Sequence, residues 1–238
     1  MEINYYGHST VDLVDGDVRI LIDPFLKPNN PAAEVTADEI DPPTHILLTH
    51  GHVDHTADAV AVGKRSGASF VAHSELANVL QEQGLEDVAD PNFGGTVEFD
   101  WGWVRMVPAI HSSTWAGSEE MPFSPTPGTV TGPAGGLVVN FAGKTLYHLG
   151  DTCLFSDLQL VPRRSPVDVA FIPIGGHYTM DRHDAVVAAD FIGAETVIPI
   201  HFNTFPPIET DAEAFKSDVE SQTKAKVVVL APGESHSV

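Results

Sequence analysis

Short apolar runs rich in β-branched residues recur along the whole chain and limit it to folds with many strands. In STVDLVDGDVRILID, the residues Asp15, Gly16 and Asp17 separate two such runs, which predicts a hairpin. Helical segments are fewer and lie between the runs. This pattern predicts an α/β fold with packed layers. No short-period repeat is visible, and we expect residues 1–238 to form a single domain.

Some segments combine helical apolar spacing with helix start and stop signals. They are residues 56–66, 74–83, 181–193 and 210–221. Gly67 follows the first and predicts a C-terminal cap. Ser74 and Asp181 are the expected N-terminal caps of the second and third. Thr210, with Glu213 three residues later, has the spacing of a capping box for the fourth.

Two long stretches, residues 24–43 and 112–136, interrupt this alternation. Loops of such length in a compact domain are often lids or binding loops. The second could instead be a disordered insertion without a role. Trp115, Met121 and Phe123 favour a segment that packs on another part of the protein.

Acidic side chains greatly outnumber basic ones: 33 Asp and Glu stand against 12 Lys and Arg, a formal net charge of −21. The acids are spread over the chain, as in proteins of salt-loving archaea, whose surface charges repel one another unless salt screens them. Nonspecific binding to nucleic acid uses basic side chains to neutralise phosphates. We therefore expect no nucleic-acid partner.

No apolar run approaches the roughly 20 residues that a membrane helix needs, so we expect no membrane partner. The opening residues, MEINYYGHST, have neither the basic nor the apolar region of a secretion signal. The single cysteine, Cys153, excludes an intramolecular disulfide and a multi-cysteine zinc site. A cytoplasmic location is the default expectation.

Four apolar runs end at or near a residue that can bind a metal ion. ILLTH ends at His50, VRMVPAIH at His111, TLYHLGD at Asp151 and TVIPIH at His201. Histidines that only complete a core would not gather so regularly at strand ends. These four residues predict a metal site.

The segment THGHVDH adds a dense cluster to this set. In extended backbone, residues i and i+2 point to the same side, so His50 and His52 can bind one ion together. The chain then turns into a helix, and Asp54 and His55 can bind a second ion. Imidazole and carboxylate ligands without thiolate suit zinc in an open catalytic site, and also accept manganese, iron or nickel.

The HxHxDH signature at residues 50–55 resembles that of the metallo-β-lactamase superfamily, and His111, Asp151 and His201 follow in that family's order. Further motifs resemble a branch of metal-dependent hydrolases related to ascorbate-6-phosphate lactonase. They are YYGHST, LIDPF, AIHSS, YHLGDT, IPIGGHYTM and IPIHFNTFP. The resemblance covers nearly the whole chain and identifies no substrate.

The resemblance implies a four-layer αββα sandwich of two mixed β-sheets flanked by helices, with the site at one edge between the sheets. It implies two divalent ions, with His50, His52 and His111 on the first, Asp54, His55 and His201 on the second, and Asp151 between them. Enzymes of the family that hydrolyse β-lactams often use a cysteine ligand. We expect Cys153 to be a buried apolar side chain instead, which argues against antibiotic hydrolysis.

Other polar residues of these motifs are candidates for substrate contact or for supporting the ligands. Asp23 either holds a ligating imidazole in one tautomer or initiates a turn before Pro24. His8 either lines the metal pocket, which we favour, or binds the metal. His177 follows two glycines and could contact substrate, and His148 could support the ligands or belong to the core.

These residues predict a metal-dependent hydrolase. Two ions roughly 3.5–4 Å apart would share a metal-activated hydroxide, with Asp54 as the catalytic residue that orients it or shuttles a proton. The expected partner is a small ester, lactone or phosphodiester. Arg182 is the basic residue best placed to meet an anionic substrate.

Alternatives are a non-catalytic divalent-metal-binding protein and a nuclease of the same superfamily, although no basic RNA-docking arm is visible. The oligomeric state stays open, a homo-oligomer included.

Overall fold

The computed structural model describes residues 1–115 and 128–238. Its strands are, in chain order, β1 (Glu2–Gly7), β2 (Thr10–Asp15), β3 (Val18–Ile22), β4 (His45–Leu47), β5 (Ser69–Val71), β6 (Val88–Ala89), β7 (Thr96–Phe99), β8 (Gly102–Pro108), β9 (Thr114–Trp115), β10 (Thr129–Val130), β11 (Gly135–Phe141), β12 (Lys144–His148), β13 (Val169–Pro173), β14 (Thr196–Ile200), β15 (Lys226–Val227) and β16 (Ser235–Ser237). Its helices are α1 (Val53–Thr56), α2 (Ala59–Ser66), α3 (Ser74–Glu82), α4 (Val161–Arg164), α5 (Arg182–Ile192) and α6 (Ala212–Gln222), with 3-10 segments at Ser156–Leu160 and Pro206–Ile208. No helix within these ranges is long and apolar enough to cross a lipid bilayer.

Two seven-stranded sheets form the centre of the molecule. The first has the order β16-β1-β2-β3-β4-β5-β6, antiparallel as far as β3 and parallel from β3 to β6. The second has the order β15-β14-β13-β12-β11-β8-β7, with parallel pairing from β15 to β12 and antiparallel pairing beyond. The predicted hairpin is confirmed as β2 and β3, joined at Gly16, whose positive φ of 56° suits glycine.

Side chains that alternate along the strands form three hydrophobic cores, one between the sheets and one on the outer face of each sheet. Ile20 and Ile22 lie in the core between the sheets, whereas Leu21 packs with α2 and α3 on the outer face of the first sheet. In β8, Val104 likewise faces the other sheet and Val107 faces the side covered by α5 and α6. This two-residue period buries both faces of each sheet. The predicted αββα sandwich is therefore confirmed.

Helices α2 and α3 show one confirmed and one wrong prediction at their ends. α2 ends at Gly67, whose positive φ of 69° and N–H bond to Gly63 O make a C-terminal cap. α3 begins at Ser74 itself, so His73 occupies the preceding cap position and makes no capping bond. The His73 ring is held instead by Glu75, at 2.6 Å. The expected serine cap was wrong.

Aspartates cap the two helices of the second outer layer. The carboxylate of Asp181 accepts two backbone N–H bonds at the start of α5, as predicted. In α6 the cap is Asp211, whose side chain accepts from the N–H of Ala214 at 2.9 Å, so the prediction of Thr210 was wrong. The N–H of Thr210 bonds to Asn203 Oδ1 at 2.8 Å and belongs to the preceding loop.

The two long stretches differ in what they pack against. Residues 24–43 contain no helix or strand, yet Leu26 and Ile40 are buried in the layer under α2 and α3. In the second stretch, Trp115 is buried and lies in β9, which pairs with β10. Met121 and Phe123 lie outside the described residues.

Candidate metal centre

The predicted strand-end residues come together at one edge of the sandwich. His50 follows β4 of the first sheet, while His111, Asp151 and His201 follow β8, β12 and β14 of the second. The short helix α1 begins three residues after His50 and carries Asp54. Both sheets therefore contribute side chains to a single buried cluster.

Three histidines form the first group of potential ligands. His50 Nε2 lies 3.0 Å from His52 Nδ1, and His111 Nε2 lies 3.2 Å from the same atom. Burial lowers the pKa of His52 to about 4, and it lowers the pKa values of His50 and His111 as well. Three neutral imidazoles thus converge with their nitrogens, an arrangement that a cation would stabilise.

The second group contains Asp54, His55 and His201, together with His8. His8 Nε2 lies 3.0 Å from Asp54 Oδ2, and His201 Nε2 lies 3.7 Å from the same oxygen. The sequence favoured His8 as a pocket wall. The structure places its ring nitrogen among the candidate donor atoms.

Asp151 lies between the two groups. Its Oδ2 is 3.1 Å from His201 Nε2 and 3.6 Å from His111 Nε2, and its Oδ1 is 3.3 Å from His55 Nε2. His50 Nε2 lies 4.0 Å from Oδ2. One buried carboxylate therefore reaches both groups, which is the position expected of a bridging ligand.

In the metal-free protein, protonated histidines balance the negative charges of the buried carboxylates. Burial disfavours the charged form of His201, but Asp151 and Asp54 outweigh it and raise the pKa of His201 to about 9. Asp151 and Asp23 likewise raise the pKa of His55. For Asp151, burial acts to raise the pKa, yet His201 and His55 hold it well below its usual range. Protonated imidazoles occupy the role that divalent cations would take.

The available atoms fit a metal ion. His55 Nε2, His201 Nε2 and Asp151 Oδ1 are buried and make no hydrogen bond of good geometry in the described part of the chain. Buried polar atoms without partners are costly, and metal coordination removes that cost. Nitrogen and carboxylate donors without thiolate suit zinc and related divalent ions.

Asp23 and Thr49 set the tautomers of two candidate ligands. Asp23 Oδ2 accepts from His55 Nδ1 at 2.7 Å and from Thr49 Oγ1 at 2.6 Å. Because the Thr49 hydroxyl donates there, it accepts from His50 Nδ1, at 3.0 Å. When both imidazoles are neutral, as metal binding requires, both rings direct an Nε2 lone pair towards the centre. Of the two alternatives for Asp23, the structure favours support of the ligands. Thr49, a polar residue ending an apolar run, was missed.

Several residues around the centre have a strained backbone. Positive φ angles occur at His8 (56°), Asp23 (49°), His177 (52°) and His201 (53°). Non-glycine residues in this region cost free energy and cluster at functional sites. No sequence pattern indicates this strain, because it is imposed by neighbouring elements.

The structure keeps His148 and His177 away from the donor atoms. The buried His148 donates from Nε2 to Ser9 O at 3.0 Å and accepts at Nδ1 from the N–H of Gly150 at 3.2 Å. It therefore supports the backbone next to Asp151. His177 is exposed, and its ring contacts Tyr178, which lines the cleft in its place.

A cleft of about 480 Å³ opens onto the centre. Its walls are formed by His52, Asp54, His111, Ser112, Asp151, Tyr178, Phe205 and Pro207. Arg182, the predicted basic residue, pairs instead with Asp218 at 2.6 Å. Every Lys and Arg of the chain lies in the described ranges, and none lines this cleft.

Cys153 is exposed, so the prediction of a buried side chain was wrong. It lies in the turn after Asp151, where its backbone N–H bonds to Ile110 O at 3.4 Å. This places the residue at the surface of the loop rather than in the core. Within the described part of the chain, no candidate ligand group includes Cys153.

Comparisons with known proteins agree with this geometry. A family model described as the beta-lactamase superfamily domain matches residues 18–202. A UPF0173 metal-dependent hydrolase of Shouchella clausii is 43% identical over 221 residues, covering 93% of this chain and 94% of the relative. Another, of Natranaerobius thermophilus, is 39% identical over 236 residues, covering 99% and 98%. The solved structure of Igni18, a metallo hydrolase from Ignicoccus hospitalis, has a TM-score of 0.86 and 34% identity, covering 99% of this chain and 97% of that chain.

Proposed function

Because the chain belongs to the metallo-β-lactamase superfamily and is a metal-dependent hydrolase, we propose that it hydrolyses a small uncharged ester or lactone at a dinuclear metal centre. The observation that carries this proposal is the position of Asp151. Its Oδ2 lies between His201 of the second group and His111 of the first, and its Oδ1 faces His55 of the second, at the floor of an apolar cleft.

The two groups divide the ligands between two ions. His50, His52 and His111 would hold the first, and Asp54, His55 and His201 would hold the second, with His8 as a further donor and Asp151 shared. Zinc is the ion that this donor set favours, with manganese, iron or nickel as alternatives. Bound ions of this kind supply a water of pKa about 7 and polarise the substrate carbonyl.

Asp54 is the residue we assign to proton transfer. It lines the cleft, and its Oδ2 is held by His8 at 3.0 Å. Burial acts to raise its pKa, but the nearby His201 ring and the hydrogen bond with His8 keep the pKa of Asp54 well below its usual range. The carboxylate is therefore ionised at neutral pH and can orient a water molecule or accept its proton.

The cleft favours an uncharged carbonyl substrate over a phosphodiester. Tyr178, Phe205 and Pro207 supply much of its apolar lining, and no Lys or Arg of the described residues lines it. Apart from metal ions, phosphate recognition in proteins relies on Arg, Lys or a helix N-terminus. The absence of basic side chains in this lining also counts against a nuclease.

A panel of substrates tests the proposal. Protein purified in high salt is assayed for bound metal and for turnover of p-nitrophenyl butyrate, a γ-lactone and bis-p-nitrophenyl phosphate, with zinc and with manganese. We expect turnover of the ester and the lactone, and slower turnover of the diester. The variants H52A and D151A should lose metal and activity together, whereas H183A, at an exposed position of α5, should keep both.

Two outcomes would contradict it. Tight metal binding without turnover of any substrate would support a non-catalytic metal-binding protein. Faster turnover of the diester than of the ester would show that the cleft accepts anions without basic side chains.

A further inference from the structure

A second cavity, of about 220 Å³, lies on the outer face of the second sheet, beneath the segment that contains α4. We call it the outer-sheet pocket. Its residues are Gly94, Arg105, Val107, Pro108, Tyr147, Phe155, Asp157, Leu160, Val161 and Arg164. None of them belongs to the candidate metal centre, and most of the wall is apolar.

Arg105 is buried in this pocket without an acidic partner. Arg105 is only 5% exposed, and no carboxylate of the described residues pairs with its guanidinium group. It donates to Ser165 Oγ at 3.2 Å and lies over the Trp103 ring at 5.2 Å. With 33 acids to 12 bases in the chain, an unpaired buried arginine is a notable exception.

A second positive charge, that of Arg164, acts on Arg105. Burial lowers the pKa of Arg105, and Arg164 on α4 lowers it further. Two guanidinium groups therefore share one pocket wall. Their mutual repulsion is relieved if an anion lies between them.

Tyr147 is a second, independent polar group in the same pocket. Val138 of β11 is the register partner of both Arg105 on β8 and Tyr147 on β12, so these side chains share the outer face two strands apart. Tyr147 is 1% exposed, and its hydroxyl makes no hydrogen bond within the described ranges. A buried tyrosine hydroxyl usually has a partner.

We propose that the outer-sheet pocket binds a small organic carboxylate with a compact apolar body. The guanidinium groups of Arg105 and Arg164 and the hydroxyl of Tyr147 supply donors for the carboxylate, and Phe155 with its apolar neighbours covers the body. Asp157 is the one acid among the described lining residues, and it favours a monoanion over a phosphate dianion. The site does not depend on the hydrolysis proposed above.

Calorimetry with benzoate tests this site in metal-loaded protein. Benzyl alcohol, which has the same ring but no charge, and inorganic phosphate serve as comparison ligands. We expect benzoate to bind, and both comparison ligands to bind at least tenfold more weakly. The variant R105M should weaken benzoate binding by about tenfold or more, because a charge-assisted bidentate contact is lost.

Matched variants separate this site from the metal centre. R164M, at an exposed position, should weaken binding without affecting folding, and Y147F should weaken it by removing only the hydroxyl. R163M, on the same helix but outside the pocket, should bind as the unaltered protein does. Equal binding by all of these variants, as expected if benzoate binds only at the metal, would overturn the proposal. Tighter binding of phosphate than of benzoate would also overturn it.

Discussion

Asp23 Oδ2 lies 2.7 Å from His55 Nδ1, and both side chains are fully buried. The same carboxylate accepts from Thr49 and thereby reaches His50 indirectly. One residue outside the ligand groups thus orients a candidate ligand in each of the two groups. Its position explains why the chain tolerates a strained backbone at Asp23, with φ of 49°.

The first prediction concerns this orienting role. D23A should lower zinc affinity by about 10- to 100-fold, because two imidazoles lose the bonds that set their tautomers. Competition with a chromogenic chelator measures the affinity. D17N, in the exposed β2–β3 turn, is the control and should bind zinc normally. Unchanged affinity in D23A would show that packing alone orients the rings.

The second prediction concerns the stability of metal-free protein at alkaline pH. The pKa of His201 is raised to about 9 by Asp151 and Asp54 against the effect of burial. A raised pKa in the folded state stabilises it fully below the unfolded value of about 6.5. That contribution is lost as the pH rises to about 9. Chelator-treated protein should therefore show a falling Tm over this range, and zinc-loaded protein a flatter one.

The third prediction covers the acidic side of the same profile. Burial lowers the pKa values of His8 and His52 to about 4, so both are neutral in the folded protein. A lowered histidine pKa means that unfolding takes up protons below pH about 6.5. The Tm of metal-free protein should fall as the pH drops from there towards 4. A Tm that rises on acidification would contradict these assignments.

The fourth prediction contrasts two histidines of similar sequence setting. His8 Nε2 contacts Asp54 at 3.0 Å, whereas His177 is exposed and outside the cleft wall. H8A should lower the zinc content of purified protein and reduce kcat, while H177A should change neither by more than about twofold. Metal analysis and ester turnover measure both effects. Full zinc occupancy in H8A would exclude His8 as a ligand.

The fifth prediction concerns a buried ion pair remote from the cleft. Asp12 is fully buried and pairs with Arg19, yet burial outweighs this partner and raises the pKa of Asp12 to about 6. R19M should destabilise the protein by about 3 kcal/mol, since it leaves a buried carboxylate unpaired. Adding D12N should recover part of that loss. Denaturant unfolding at pH 7 measures the free energy of unfolding of each variant. If the changes caused by R19M and D12N simply add, the two side chains are not coupled.

Much of the fold followed from the sequence because strand periodicity and turn residues are local signals. Leu21 between Ile20 and Ile22 already indicates a strand buried on both faces. The capping errors at Ser74 and Thr210 arose because the preceding residue occupies the cap position at Ser74 and the following residue at Thr210, namely His73 and Asp211. Alternative N-cap residues differ by about 1 kcal/mol in their contribution to helix stability, and contacts beyond the helix decide between them.

The donor residues around His50 and at the later strand ends were evident from residue order, because strands of a layered fold place their ends at a common edge. What residue order could not supply was the set of contacts between distant segments. His8 meets Asp54 and Asp23 meets His55 only after the sheets assemble, and only then do Arg105 and Tyr147 line one pocket. Arg182 turns to Asp218 for the same reason. Local patterns specify elements and their faces, whereas long-range packing specifies which side chains share a cavity.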